Sequence, residues 1–179
     1  MDRALIDTAT KALDVEAVFL RASEIRCKEG FMPQFIEDDL SLVPQYRVGP
    51  KSEFHVVTAT NKETHDSTKT AMYYFAAGVR LIDGTMLDAA ENQEDLPDEA
   101  VYVEIKTEFC AHYGLDGAAD EKELRPALEE FGRFNIGYHV WPYWREYVQS
   151  VCARMGIPPI PVPMYRIPQP EPDSAPEPE

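Results

Sequence analysis

The spacing of apolar residues changes period several times along the chain. Leu5, Ile6, Ala9, Ala12 and Leu13 recur at three- and four-residue intervals, which predicts a short amphipathic helix over residues 2–13. VEAVFLRASEIRCKEG follows, rich in Val, Phe, Leu and Ile and closed by Gly30 and Pro33, and reads as a strand over 15–28. Val18, Phe19 and Leu20 run together in it, so both of its faces are expected to meet apolar partners. FMPQFIEDDLSLVPQYRVGP is broken by Pro33, Pro44 and Pro50 and reads as a crossover, extended over 42–48. A strand is predicted over 53–61, then a polar turn, NKETHDS, and another strand over 69–82. In the latter Tyr73, Phe75, Ala77, Val79 and Leu81 share one face, and Gly78 signals a bulge or a close backbone approach. TMLDAAENQEDLPDEA is an acidic connection with one helical turn.

The clearest strand is AVYVEIKTEFCAHYGL. Val101, Val103, Ile105, Phe109 and Ala111 lie on one side, with Tyr102, Glu104, Lys106, Glu108 and His112 on the other. One wet and one dry face mark an antiparallel sheet covered on one side only. Asp120, with Glu123 three residues on, opens a helix that Gly132 is expected to stop. A longer helix is predicted over 139–155. Trp141, Trp144, Val148, Val151 or Cys152, and Met155 form one stripe on it, and Val140, Tyr143, Tyr147 and Ser150 an adjacent one. That apolar arc is wider than one sheet face needs, so its second side calls for a sister subunit or a ligand. Pro142 falls near the helix start and Gly156 at its left-handed end. IPPIPVPMYR then forbids helix and forms a stiff, extended apolar strap beside the helix end, where strap and helix either wall a groove or fill each other and leave none. Strands followed by helices make the fold class α+β, a four-stranded antiparallel sheet with helices packed on one face. The chain divides into a short N-terminal helix (1–14), a main domain (15–166) and a disordered tail of proline and acid (167–179).

Charge and composition narrow the chemistry. The chain has 179 residues and a formal charge of −15, which opposes nucleic acid and anionic membrane surfaces. No apolar run is long enough to span a membrane, and the N-terminus lacks a secretory signal, so a cytoplasmic location without membrane insertion is expected. Cys27, Cys110 and Cys152 are far apart and form no CxxC pair, which suits free thiols. His55, His65, His112 and His139 show no metal-ligand spacing, and no cofactor motif is present. Cys110 and His112 share a strand face but lack a third, orienting group. The loop acids Glu37, Asp38, Asp39, Glu94, Asp95, Asp98 and Glu99 read as solvated. No catalytic residue is assigned.

The run VWPYWREYVQSVCARMGIPPIPV resembles the signature region of the SecB family of bacterial export chaperones. The match rests on Trp141, Pro142, Tyr143, Arg145 and Glu146, then Gly156, Pro158 and Pro159. The Gly132–Phe134 triplet is similar to the lead-in of SecB-like chaperones of toxin–antitoxin systems. The fold-level likeness covers 15–166, and residue-level matching the final third. The resemblance implies a homotetramer, a dimer of dimers, that holds unfolded preproteins in apolar grooves without ATP or metal and passes them to the SecA motor. It also implies an acidic sheet surface for meeting SecA. The groove is expected at Trp141, Trp144, Val148, Met155, Ile157, Ile160, Val162 and Met164, with Tyr73 and Phe75 from the sheet. The N-terminal helix and the acidic insertion over 86–98 look more like the SecB-like variants, for which a dedicated client such as an antitoxin is the alternative. An adaptor for one specific partner and a hot-dog-like enzyme, a shape that also sets a long helix on an antiparallel sheet, are the other readings.

Overall fold

In the computed structural model, which describes residues 1–35, 40–86, 96–116 and 120–166, the chain opens with α1 (Arg3–Ala12). The Asp2 carboxylate accepts from the backbone N–H groups of Ala4 at 2.9 Å and Leu5 at 3.2 Å, an N-cap that satisfies two otherwise orphaned donors. Ala9 and Leu13 carry the helix's apolar side into the core. Four strands follow: β1 (Leu13–Cys27), β2 (Leu42–Thr60), β3 (Ser67–Asp83) and β4 (Val101–Leu115). They form one antiparallel sheet in the order β1-β4-β3-β2, so the connection from β1 to β2 crosses from one edge to the other. Two helices, α2 (Glu121–Phe134) and α3 (Ile136–Met155), cover one face of the sheet. The fold is α+β, as the sequence pattern predicts. The acidic connection over 87–95, the loop acids Glu37, Asp38, Asp39, Glu94 and Asp95, and the tail over 167–179 lie outside the described residues.

Several expectations need correction. β2 is a single strand, where the prolines suggest a crossover and a separate strand. Pro44 and Pro50 are tolerated because β2 is an edge, and the register slip between Pro50 and Phe54 absorbs the irregular stretch. Of the two readings of Gly78, the structure bears out the close backbone approach: a Cβ there would lie 3.3 Å from the Ile105 carbonyl oxygen. The slip in β3 comes later, between Leu81 and Ile82, and turns Ile82 inward in place of Leu81. Gly132 does not stop α2, which runs on to Phe134. Its missing side chain makes room for Tyr73, whose ring would sit 2.8 Å from a Cβ. α3 begins at Ile136, so Pro142 lies in its second turn and not at its start. The carbonyl of Tyr138 therefore loses its intrahelical donor, at a site where Tyr138 is exposed and water can replace it. Gly156 does take the left-handed conformation (φ +68) that ends the helix, with the N–H of Ile157 bonding to the Cys152 carbonyl at 3.1 Å.

Candidate functional site

The last described segment, 157–166, runs back along α3 as an extended strap. Gln149 Nε2 donates to the Ile160 carbonyl at 2.9 Å and Trp141 Nε1 to the Pro163 carbonyl at 2.7 Å. The Tyr46 hydroxyl on β2 donates to the Pro161 carbonyl. Tyr165 lies over Gly137, where a methyl group would overlap its ring, and touches Trp141 with ring centroids 5.0 Å apart. Contacts therefore pair 160 with 149, 163 with 141 and 165 with 137. Five extended residues cover about 16 Å and twelve helical residues about 18 Å, so the two rises match. Between these ties Ile157, Ile160 and Val162 turn inward and are buried. The prolines exclude a competing helix, and the free strap carbonyls meet side-chain donors.

This strap settles what covers the second side of α3. Trp141, Trp144, Val148, Val151 and Cys152 are buried between the chain's own sheet and its own strap, with the Trp141 and Trp144 rings 4.7 Å apart. Tyr73 and Phe75 are buried on the sheet beneath. Of the residues expected in a groove, the structure places Trp141, Trp144, Val148, Ile157, Ile160, Val162, Tyr73 and Phe75 in one core, leaves Met155 half-buried, and exposes Met164. The physical reason is a matched fit: strap and helix fill each other, so no open trough lies between them. Of the motif residues, Pro142, Tyr143, Arg145, Glu146, Gly156 and Pro158 are at the surface.

The uncovered apolar surface lies elsewhere. Met32 and Phe35, in the connection from β1 to β2, are 60% and 78% exposed, and Met164 on the strap is 74% exposed. Gln34 lies beside Gly156, which sets this connection against the C-terminal end of α3. A second uncovered strip runs along β1. Val15, Leu20 and Ile25 pair with the inward-facing Tyr113, Phe109 and Ile105, so they share the helix-covered side, yet they are 58%, 42% and 46% exposed. The helix layer stops short of this edge, where Tyr147 reaches Ser23 by a hydroxyl contact of 2.5 Å. Met32 and Phe35 carry no periodic signal, and only their apolar character in a proline-broken stretch marks them. In β1 the signal is the run Val18-Phe19-Leu20: Val18 packs against the core and Phe19 against His112 on the outer face, while Leu20 stays 42% exposed.

Polar groups near the core are arranged for packing. The Tyr73 hydroxyl donates to the Leu128 carbonyl at 3.1 Å, and the Tyr113 hydroxyl meets His139 Nδ1 at 2.6 Å. Burial raises both phenols above their ordinary range and holds the His139 imidazole below its own. Burial also pushes the Cys110 thiol up, the opposite of an activated nucleophile, and His112 packs edge-on against Phe19 at 4.8 Å. Among the described residues no group of His, Cys, Asp and Glu is placed to hold a metal ion, and no helix is long and apolar enough to cross a membrane. The outer sheet face is not the acidic surface that the resemblance implies. Arg21, Arg26, Arg47, Lys51, Arg80 and Lys106 stand there beside Asp14, Glu16, Glu24, Glu53, Glu104 and Glu108.

No protein-family model matches the sequence, and no curated protein matches it. Among solved structures the chain is similar to the Mycobacterium tuberculosis Rv1957 SecB-like chaperone in complex with a ChAD peptide from the Rv1956 HigA1 antitoxin. The TM-score is 0.59 at 14% identity, covering 93% of this chain and 99% of that one. The fold is thus that of a SecB-like chaperone, although nothing at the level of sequence families matches.

Proposed function

We propose that this chain is a SecB-like holdase of the cytoplasm that binds extended, unfolded segments without ATP, and that its client is a specific partner such as an antitoxin. The observation that carries the reading is exposed apolar surface at two places, Met32 with Phe35 at the C-terminal end of α3 and Met164 beside Arg145, on a fold similar to that of a chaperone in complex with an antitoxin peptide. Methionine suits such a surface because its unbranched, polarisable side chain repacks against different clients. Each buried client group contributes at about 25 cal/mol per Å² of apolar area and is offset by chain ordering, so affinity builds from many weak contacts. Met155 borders this surface from α3. The buried residues Trp141, Trp144, Val148, Ile157, Ile160, Val162, Tyr73 and Phe75 form the core on which α3 and the strap rest and are closed to a client in this structure.

The strip Val15, Leu20 and Ile25 is the proposed contact between copies, the seam of a homotetramer. General export of preproteins through SecA ranks below a dedicated partner, because the mixed charges of the outer sheet face do not offer an acidic docking surface. The test dilutes urea-unfolded model proteins, and separately an aggregation-prone antitoxin, into buffer with and without this chain and follows light scattering without nucleotide. Suppression at near-stoichiometric chaperone, strongest for the antitoxin, is expected. No suppression of any client by the folded chain would overturn the holdase reading. Equal protection of every client would replace the dedicated partner with a general role.

A further inference from the structure

In a chain of formal charge −15, the middle of the outer sheet face gathers cations. Three rungs cross it: Gln45–Arg80–Glu104–Arg26, Arg47–Gly78–Lys106–Glu24, and Gly49–Ala76–Glu108–Ala22. The irregularities in both edge strands add to them. The slip in β1 turns Arg21 outward, 4.8 Å over the Tyr74 ring and 3.4 Å from Glu108. The slip in β2 sends Lys51 across β3 to the same carboxylate, over Ala76, whose methyl leaves the path open. His55 packs against Tyr74 at 5.7 Å. Together Arg21, Lys51, Glu53, His55, Tyr74 and Glu108 enclose a concavity of ≈ 400 Å³.

Each central carboxylate is already shared by two cations. Glu108 takes Arg21 and Lys51, and Glu104 takes Arg26 at 3.4 Å and Lys106 at 2.8 Å. These cations are about half exposed, so the pairs are weak and exchange partners readily. Arg47 is exposed and has no ion pair or hydrogen bond of its side chain among the described residues. Gly49, Ala76 and Gly78 add no bulk of their own, so the Lys51 side chain crosses Ala76 and the Lys106 stem lies 3.8 Å from the Cβ position of Gly78.

We propose that this face docks an acidic, extended segment of a partner protein, with its carboxylates on Arg21, Lys51 and Arg47. Charge complementarity selects the occupant: in a chain of formal charge −15, the middle of this face sets Arg21, Arg26, Arg47, Lys51, Arg80 and Lys106 against Glu24, Glu53, Glu104 and Glu108, a local excess of cations. The face lies opposite the helix layer, so the proposal stands apart from the client-holding reading and its failure leaves that reading untouched.

The test is fluorescence anisotropy of a labelled alternating Glu–Gly peptide titrated with the full-length chain at low and high salt. Saturable binding that weakens with salt is expected, with a loss of roughly tenfold or more in the triple variant Arg21→Glu, Arg47→Glu, Lys51→Glu. Arg47→Glu alone, which breaks no contact within the fold, is expected to lose about threefold. No saturable binding, equal binding by the triple variant, or tighter binding of a Lys–Gly peptide or an oligouridine would overturn the proposal. The same titration on a full-length chain with Glu171, Asp173, Glu177 and Glu179 changed to amides gives one more outcome. Binding that appears only there would assign the face to the chain's own tail and overturn the partner.

Discussion

At the scale of single residues, two small features hold the strap and its helix together. Gly137 leaves the space that the Tyr165 ring fills. Alanine is the better helix former by up to about 1 kcal/mol, but its methyl group would drive Tyr165 off α3. Gly137→Ala is therefore expected to destabilise the fold by about 1–3 kcal/mol in urea unfolding, and a raised midpoint would contradict the packing. His139 is the second feature. Burial holds its imidazole below the ordinary value, so the folded chain keeps it neutral against the Tyr113 hydroxyl. The unfolded chain takes up its proton near about pH 6.5. The stability present above that pH is therefore lost as pH falls through it toward the lower folded value, and it levels off below. Comparing the pH dependence of unfolding in the wild type and in His139→Gln checks this: the variant should lose that component, and an unchanged profile would exclude His139 as its source. Neither glycine that admits a ring was readable for that role. Gly132 stands where a helix stop is usual, and only the structure shows Tyr73 above it.

At the scale of elements, periodicity identified what alternation and capping control. β4, the Asp120 cap and the Gly156 terminus follow from local chemistry. The length of β2 did not, because Pro44 and Pro50 signal a break and only its edge position explains why they are harmless. The covering of α3 was also hidden. The width of its apolar arc shows that a second covering is needed, but the sister subunit or ligand it suggests is not what supplies it: the chain's own strap does, and a segment without periodicity does not reveal whether it folds back or projects. Because the strap packs inward, its apolar residues belong to the core. Ile160→Ala is expected to cost about 2–4 kcal/mol, read from the urea midpoint, and Val162→Ala somewhat less. A loss below about 0.5 kcal/mol would mean that the strap is not seated in solution. Aspartate at either position should damage the fold itself, so charged strap variants do not separate client binding from stability.

At the scale of the whole molecule, the antiparallel sheet and its one-sided helix layer were legible, because one strand with a wet and a dry face, followed by two helices, admits few arrangements; the strand order β1-β4-β3-β2 was not. Which apolar residues stay uncovered was not legible, since the same residue types fill core and surface alike. The uncovered strip on β1 leads to a prediction about assembly. A mass near four times the 20.3 kDa chain is expected in solution, and Val15→Lys with Ile25→Lys should lower it; an unchanged mass would place the contact elsewhere. The central claim is that exposed apolar surface holds unfolded clients. Its most direct test is light scattering of a urea-unfolded client diluted with wild-type chain or with the triple variant Met32→Asp, Phe35→Asp, Met164→Asp. All three residues are exposed, so the variant should keep its fold and its mass. Suppression by the wild type and its loss in the folded variant is the predicted result. Equal suppression by both would contradict the account.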